Sequence, residues 1–170
     1  AQAGGHELRF IEYMDVGHAH GWNLERTFTQ KEILETLHER GVELSVQGRS
    51  EGRAPAEDYS YIVPAGQPTA GQERRLGIIS SVSRPFCGSC TRARLTADGH
   101  LVTCLFATGG FDLRGPLRGG ASDAELLRAI QDVWSERTDR HSEERLEAIL
   151  SERGYDPEDR DKLEMIRLGG

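Results

Sequence analysis

Three cysteines in one short segment constrain this chain more than any other feature of its sequence. Cys87, Cys90 and Cys104 give the spacing C-x2-C-x13-C, and they are the 3 cysteines of the 170 residues. Because Gly88 and Ser89 are small, the backbone between the first two thiols can curl and point both sulfurs at one metal atom or cluster. So few cysteines in a chain of this length exclude the class of disulfide-rich secreted domains.

A predicted hairpin indicates how the third cysteine would share that site. Residues 94–96 and 101–103 are predicted strands, and Asp98-Gly99 between them is typical of a tight hairpin turn. The second strand would therefore bring Cys104 back beside the first two thiols.

Three interpretations of the cysteines stay open at this point. In the first, the cysteines are buried and hold nothing. In the second, they form a tetrahedral zinc site that is completed by a histidine such as His100. In the third, three thiolates hold a cubane iron–sulfur cluster whose fourth iron is open to a ligand. Having 3 cysteines rather than four favours the open cluster.

The segment around the cysteines is basic, although the whole chain is acidic. The chain has 21 Lys and Arg against 28 Asp and Glu, a net charge of −7, which disfavours wholesale nucleic-acid binding. Between Arg74 and Arg118 there are seven arginines and two acids, a local charge of about +5. Since arginine suits contacts with phosphate and carboxylate groups, the segment predicts an anionic ligand beside the cysteines.

The sequence shows neither a membrane span nor a leader. No apolar run comes near the length of a membrane-spanning helix, about 20 residues. Residues 1–9 lack the basic start and apolar middle of a signal peptide. We therefore expect a soluble, cytoplasmic protein with no membrane and no nucleic-acid partner.

Apolar spacing and helix-start motifs predict a mixed α/β fold. The capping-box spacing S/T-x-x-E starts a helix over 30–40 at Thr29, and starts a second helix, ending near Arg137, at Ser122. A more polar helix is predicted over 142–153, followed by an exposed or mobile stretch over 154–162. Alternation and β-forming residues predict strands over 8–14, 42–46, 59–63 and 75–82.

The residues around the cysteines resemble those of a known family. The run SRPFCGSCTRARLTADG over 83–99, with Cys104-Leu105-Phe106 after it, closely resembles the C-terminal cluster segment of the molybdenum cofactor biosynthesis protein A family. Its members are radical S-adenosylmethionine (SAM) enzymes, the GTP 3′,8-cyclases. Weaker similarities lie over 9–14 with Gly21-Trp22, over 112–123 and at the terminal Gly169-Gly170. The resemblance runs in order along essentially the whole chain.

The resemblance implies a role for each matching residue. A 4Fe–4S cluster, whose open iron binds the guanine of GTP, would be ligated by Cys87, Cys90 and Cys104. The nucleotide would be contacted by Arg92, by the backbone at Ala93 and by Arg94. Met14 would lie against SAM, Arg9 would be a polar neighbour of cofactor or substrate, and the Gly169-Gly170 tail would enter the active site.

The resemblance also implies an architecture and a limit on activity. Residues 1–72 would be the C-terminal part of an incomplete TIM-type (β/α)6 barrel. A small α+β iron–sulfur domain would follow, with the cysteine and arginine segment over 73–120 and helices with the Gly-Gly tail over 121–170. The family cleaves SAM at a first cluster held by a C-x3-C-x2-C motif, which these residues lack. We therefore expect the C-terminal portion of a longer lyase, inactive by itself.

The implied partners follow from the family's reaction. They are GTP and SAM, the missing N-terminal half of the barrel, and the next enzyme of the pathway, cyclic pyranopterin monophosphate synthase. A second copy of the chain is a further expected partner, because half a barrel exposes strand edges and apolar faces. Two rival functions stay open, a zinc-binding structural or interaction module and the auxiliary-cluster domain of another radical SAM enzyme. His18 and His20 resemble a metal pair, but we expect them to lie on a solvated loop.

Overall fold

The computed structural model describes residues 6–17, 21–52, 54–151, 154–159 and 163. The chain divides into two compact units. The first unit consists of Ala1–Met14 and Asn23–Cys90, and the second of Asp15–Trp22 and Thr91–Gly170. The predicted division at 72 and 120 is not tested by these boundaries and stays a prediction.

The described residues of the first unit form a four-stranded sheet and one α-helix. Its strands are β1 (Leu8–Ile11), β2 (Ser45–Gly48), β3 (Glu57–Ile62) and β4 (Glu73–Ile79), and its helix is α1 (Gln30–Glu39). The strand order is β1-β4-β3-β2. β1 pairs with β4 in parallel, whereas β3 is antiparallel to both of its neighbours, β4 and β2. Three short 3₁₀-helices, Leu24–Arg26, Ser50–Gly52 and Cys87–Ser89, lie in the connections.

Helix α1 supplies the apolar layer that covers this sheet. Thr29 caps its N-terminus, and the predicted capping box is present. The Thr29 N–H donates to the Glu32 carboxylate at 2.7 Å, and the Glu32 N–H donates back to the Thr29 hydroxyl oxygen at 3.4 Å. Ile33 of α1 packs into a buried cluster with three residues of the sheet, Tyr59, Leu76 and Ile78. The helix is therefore fixed by a local motif at its start and by burial along its face.

In the second unit, the part of the chain that the structure describes forms a small antiparallel sheet and three helices. The sheet has the order β5 (Arg94–Leu95), β6 (His100–Val102) and β7 (Phe111–Asp112). The helices are α2 (Arg114–Arg118), α3 (Asp123–Ser135) and α4 (His141–Leu150). Val102 and Leu163 are buried together, with Leu105 and Ala107 packed against them.

The predicted mixed α/β class is confirmed, as are the three predicted helices within a few residues at their ends. Strands β1 and β4 are shorter than predicted, since they stop at Ile11 and Ile79 rather than at residues 14 and 82. Strand β2 begins at Ser45 rather than at residue 42. Strand β7 and helix α2 were not predicted, because two residues and a five-residue helix that contains Pro116 give no periodic pattern. The incomplete barrel and the iron–sulfur domain stay predictions.

Some predictions fall partly or wholly outside the described residues. His18, His20 and Gly169-Gly170 lie outside them. Of the stretch predicted to be exposed or mobile, residues 154–159 are described; four of these six are exposed, while Tyr155 and Pro157 are half-buried. Within the described ranges, none of the helices has the length and apolar character needed to cross a membrane.

Candidate cysteine and arginine site

Cys87 and Cys90 lie at one sharp turn in the first unit. The turn is the 3₁₀-helix Cys87–Ser89, and the Cys90 N–H donates to the Cys87 carbonyl oxygen at 3.1 Å. The Ser89 N–H donates to the carbonyl oxygen of Phe86 at 3.2 Å. Both cysteines are half-buried. Backbone hydrogen bonds thus curl the chain between the two thiols.

Phe86, the residue before this turn, is held by a cation–π contact. The guanidinium carbon of Arg49 lies 5.0 Å from the centre of the Phe86 ring. Arg49 is fixed in turn by donating to the carbonyl oxygens of Ala54 at 3.1 Å and Pro55 at 3.3 Å. A Cβ at Gly88 would meet no atom within 4 Å. The turn therefore does not need a glycine at this position for steric reasons.

Cys104 lies in a separate turn that follows β6 in the second unit. Its carbonyl oxygen accepts from the Ala107 N–H at 3.3 Å, and its Sγ accepts from the Phe106 N–H at 3.4 Å. An N–H donor directed at sulfur stabilises negative charge there, and the thiolate is the form that ligates metals. The surroundings of Cys104 therefore suit a metal ligand.

The predicted hairpin before Cys104 is present. The Thr96 N–H donates to the His100 carbonyl oxygen at 2.9 Å, and the Gly99 N–H donates to the Thr96 carbonyl oxygen at 2.9 Å. Gly99 has φ +83°, and a Cβ there would lie 2.7 Å from the Arg114 Cβ, so both conformation and space require glycine. The His100 Nδ1 lies 3.4 Å from the Asp98 carboxylate of the same hairpin.

The residues predicted to contact GTP lie between the two cysteine turns in sequence. Arg92 and Ala93 are exposed, while Arg94 is half-buried in β5 opposite Val102. All three belong to the second unit. Arg92, two residues before the strand, is exposed and accessible to an anion from solvent, so its placement is compatible with phosphate binding.

Met14 and Arg9 belong to the β1 segment of the first unit. Met14 is half-buried and lies just beyond the strand. The Arg9 guanidinium donates to the Asp58 carboxylate at 2.9 Å and also pairs with the carboxylate of Glu7. Arg9 is therefore engaged by two acids of its own unit, and its place beside cofactor or substrate stays a prediction.

The shared metal centre stays a prediction. The first unit contains Cys87 and Cys90, and the second contains Cys104. Among the residues that the structure describes, no three His, Cys, Asp or Glu side chains are grouped so as to hold a metal ion. The same holds for the alternative zinc site with His100.

A cavity of about 580 Å³ in the second unit has Cys104 in its wall. The Thr103 hydroxyl donates to the Asp139 carboxylate at 2.6 Å on this wall. The ring of His141 stacks on Phe106, with 4.5 Å between the ring centres. Ligand pockets have volumes of about 300–1,000 Å³, so Cys104 borders a space of suitable size for a small molecule.

Sequence reasoning missed the buried charged residues that fix these segments. Glu12 is 1% exposed, and Asp15 and Arg145, which form an ion pair, are 0% and 1% exposed. The Tyr155 hydroxyl donates to the Asp15 carboxylate. A charged residue inside the apolar run 8–14 could have marked Glu12 as buried. Nothing local could pair Asp15 with Arg145, because 130 positions separate them.

These observations define a class of domain: a mixed α/β fold with a C-x2-C turn and a third cysteine that follows a hairpin. Comparison with known families identifies this class. Residues 6–143 match the family described as Molybdenum Cofactor Synthesis C. That range includes all three cysteines and the Arg92-Ala93-Arg94 segment. The chain belongs to this family, and the resemblance drawn from the cysteine segment is confirmed.

Curated relatives of the chain bear the name GTP 3′,8-cyclase. One from Synechococcus sp. (strain CC9902) is 40% identical over 166 residues, which cover 98% of this chain and 43% of the relative. One from Xanthomonas axonopodis pv. citri (strain 306) is 39% identical over 166 residues, covering 98% of this chain and 44% of the relative. GTP 3′,8-cyclase 1 of Mycobacterium tuberculosis (strain ATCC 25618 / H37Rv) is 44% identical over 140 residues, covering 82% and 36%. The chain thus spans less than half the length of these relatives.

Proposed function

We propose that this chain forms the substrate-binding, C-terminal part of a GTP 3′,8-cyclase, a lyase of molybdenum cofactor biosynthesis in the cytoplasm. The complete reaction removes a hydrogen atom from C3′ of GTP and joins C3′ to C8 of the guanine; a reductant then supplies one electron, and a proton is added at N7, giving (8S)-3′,8-cyclo-7,8-dihydroguanosine 5′-triphosphate. One observation carries the proposal: the C-x2-C turn is followed, after Thr91, by Arg92-Ala93-Arg94 in a chain 40% identical, over 98% of its length, to a GTP 3′,8-cyclase.

The three cysteines are the proposed ligands of a 4Fe–4S cluster. Thiolates are the usual protein ligands of such clusters, and three of them leave one iron open. The N–H that donates to the Cys104 sulfur and the half-buried turn of Cys87 and Cys90 both suit thiolate ligands. When bound, the cluster supplies an open iron for the guanine base of GTP.

The arginines are the proposed binding residues for the triphosphate. Arg92 and Arg94 would donate charge-assisted hydrogen bonds to phosphate oxygens, and the backbone at Ala93 would contact the same nucleotide. Met14 would contact SAM, which supplies the radical in the complete enzyme. A C-x3-C-x2-C motif does not occur among the 170 residues, so we propose that the chain by itself does not convert GTP.

Anaerobic reconstitution with iron and sulfide tests this function. We expect a brown protein with about four irons per chain, whose reduced cluster gives an EPR signal that GTP perturbs. The Arg92→Ala, Arg94→Ala double variant should keep the iron and raise the apparent Kd for GTP at least about tenfold, because two hydrogen bonds to charged groups are lost.

A charge-matched variant controls this experiment. Arg40→Ala with Arg128→Ala removes two exposed arginines that lie outside the basic segment 74–118, and it should bind GTP like the original chain. A colourless protein with one zinc would instead support the zinc-binding module. Equal GTP binding in the two double variants would remove the arginines from the site, and cyclised product from the chain with SAM, reductant and GTP would contradict the proposed inactivity.

A further inference from the structure

The carboxylate of Glu12 is buried just beyond the end of β1 and receives four hydrogen bonds. Its Oε1 accepts from the Gln30 N–H at 2.8 Å and from the Ser83 hydroxyl at 2.5 Å. Its Oε2 accepts from the Val82 N–H at 2.7 Å and from the Ser83 N–H at 2.8 Å. Three segments that are distant in sequence therefore meet at this one side chain.

Because the Glu12 carboxylate is buried, its hydrogen bonds hold the donor groups firmly in place. Taking a carboxylate out of water is strongly unfavourable unless hydrogen bonds replace its hydration. At Glu12 the replacement comes from three backbone N–H groups and a hydroxyl. The Gln30 N–H lies at the start of α1, where the helix dipole also favours negative charge. Any displacement of the Val82 and Ser83 backbone would leave part of this carboxylate without donors.

The segment that Glu12 holds leads directly to the first predicted cluster ligand. The Arg84 N–H donates to the Ser80 carbonyl oxygen at 3.1 Å, which closes a turn around Val82 and Ser83. Pro85, whose ring fixes φ, and Phe86 then connect this turn to Cys87. Because the Phe86 ring is held against the Arg49 guanidinium, little freedom remains between the Glu12 contacts and the first thiol.

We propose that Glu12 is a positioning residue for the turn that carries Cys87 and Cys90. Its carboxylate fixes the backbone at Val82 and Ser83, and so sets where the two thiols are presented. The link to cluster binding rests on the proposed function, whereas the positioning itself does not. Glu12 touches neither substrate nor metal in this role, because it acts through the chain that it holds.

The variant Glu12→Gln tests the positioning directly. Glutamine keeps the size of the side chain but replaces one acceptor oxygen with an NH₂ group, which would face N–H donors. We expect amide hydrogen exchange of peptides covering 82–90 to accelerate about tenfold or more, as hydrogen bonds to the buried carboxylate are lost. Exchange in β3 should stay near its original rate. Reconstituted iron per chain should fall, and the EPR line shape of the remaining cluster should change.

Two further variants make the comparison decisive. Asp58→Asn changes another largely buried carboxylate of the first unit, which accepts hydrogen bonds from Arg9 at 2.9 Å and from Ser50 at 3.2 Å, and should leave exchange over 82–90 unchanged. Ser83→Ala removes the hydroxyl donor alone and should accelerate the same peptide about threefold, so a poorly folded Glu12→Gln chain does not end the test.

The outcomes separate this inference from the proposed function. Unchanged exchange over 82–90 in Glu12→Gln, or equal acceleration in β3 and in 82–90, would overturn the positioning role. If the original chain takes up no iron, the proposed cluster fails, and the exchange comparison still decides the role of Glu12. Selective acceleration together with normal iron content and an unchanged EPR spectrum would overturn the link to the cluster.

Discussion

Tyr59 of β3 is a tyrosine in an unusual environment, since it is 3% exposed and its hydroxyl has two polar partners. The Gln30 side-chain N–H₂ donates to this hydroxyl at 2.7 Å, and the hydroxyl donates to the Glu57 carboxylate at 2.6 Å. Burial raises the pKa of Tyr59 to about 12, and the hydrogen bond to Glu57 acts in the same direction. The same hydrogen bond lowers the pKa of Glu57.

We predict that Tyr59 ionises near pH 12 rather than near its ordinary value of 10. Since the pKa is raised in the folded state, the stabilisation by the neutral hydroxyl is complete below pH 10 and is lost as the pH rises toward 12. The tyrosinate absorbance of the original chain minus that of Tyr59→Phe, read within milliseconds of a pH jump, isolates this residue. A difference curve with its midpoint near 10 would contradict the prediction.

At the residue scale, the sequence predicted correctly those features that depend on adjacent residues. The glycine required at Gly99 followed from an Asp-Gly pair between two strands, and the structure confirms that hairpin. The buried contacts of Glu12 with Val82 and Ser83 could not be predicted, because they join positions about 70 residues apart and need the folded sheet to exist. Polar contacts between distant residues produce no periodic pattern in the sequence from which they could be predicted.

At the element scale, local motifs decided the outcome. Both capping boxes predicted from S/T-x-x-E are present, at Thr29 and at Ser122, because each is complete within four residues. The predicted ends of β1 and β4 were wrong because contacts between residues distant in sequence decide where the chain leaves the strand. After β4 the sequence continues Ser80-Ser81-Val82, and the Val82 N–H donates to the buried Glu12 carboxylate at 2.7 Å, so the chain turns there instead of continuing the strand.

The second capping box gives a prediction for α3. In Ser122→Ala the Glu125 N–H loses the hydroxyl oxygen that accepts from it at 3.4 Å, so the unfolding free energy of the second unit should fall by about 1 kcal/mol. Urea unfolding followed by tryptophan fluorescence measures the loss. Ser135→Ala, at the other end of α3, removes a hydroxyl that donates to the Asp132 carbonyl oxygen at 3.0 Å and should cost less. An equal cost for both variants would argue against the cap.

At the scale of the whole molecule, the sequence predicted the fold class but not which segments join. Asp15–Trp22 follows β1 along the chain, yet it belongs to the unit formed by the last eighty residues. The reason lies in the packing around Trp22, which meets the Tyr155 ring edge-on at 5.9 Å between ring centres. The Arg145 guanidinium carbon lies 5.8 Å from the Trp22 ring centre. The unit to which this segment belongs is decided by residues that are distant in sequence, so the local sequence could not predict it.

Breaking the ion pair between Asp15 and Arg145 should destabilise the second unit selectively. Asp15→Asn keeps the shape of the side chain but removes its charge from a fully buried guanidinium, so the unfolding free energy of that unit should fall by about 3 kcal/mol or more. Both tryptophans, Trp22 and Trp134, belong to the second unit, so tryptophan fluorescence during urea unfolding reports on it directly.

Asp132→Asn, an exposed acid on α3, is the matched control for Asp15→Asn and should leave the urea midpoint almost unchanged. Amide exchange in β3 and β4 follows the first unit in the same samples, and it should stay at its original rate in Asp15→Asn. Because the buried pair lies within one unit, its loss should weaken that unit selectively. Equal destabilisation of β3, β4 and the tryptophan signal would show instead that the two units unfold as one cooperative body.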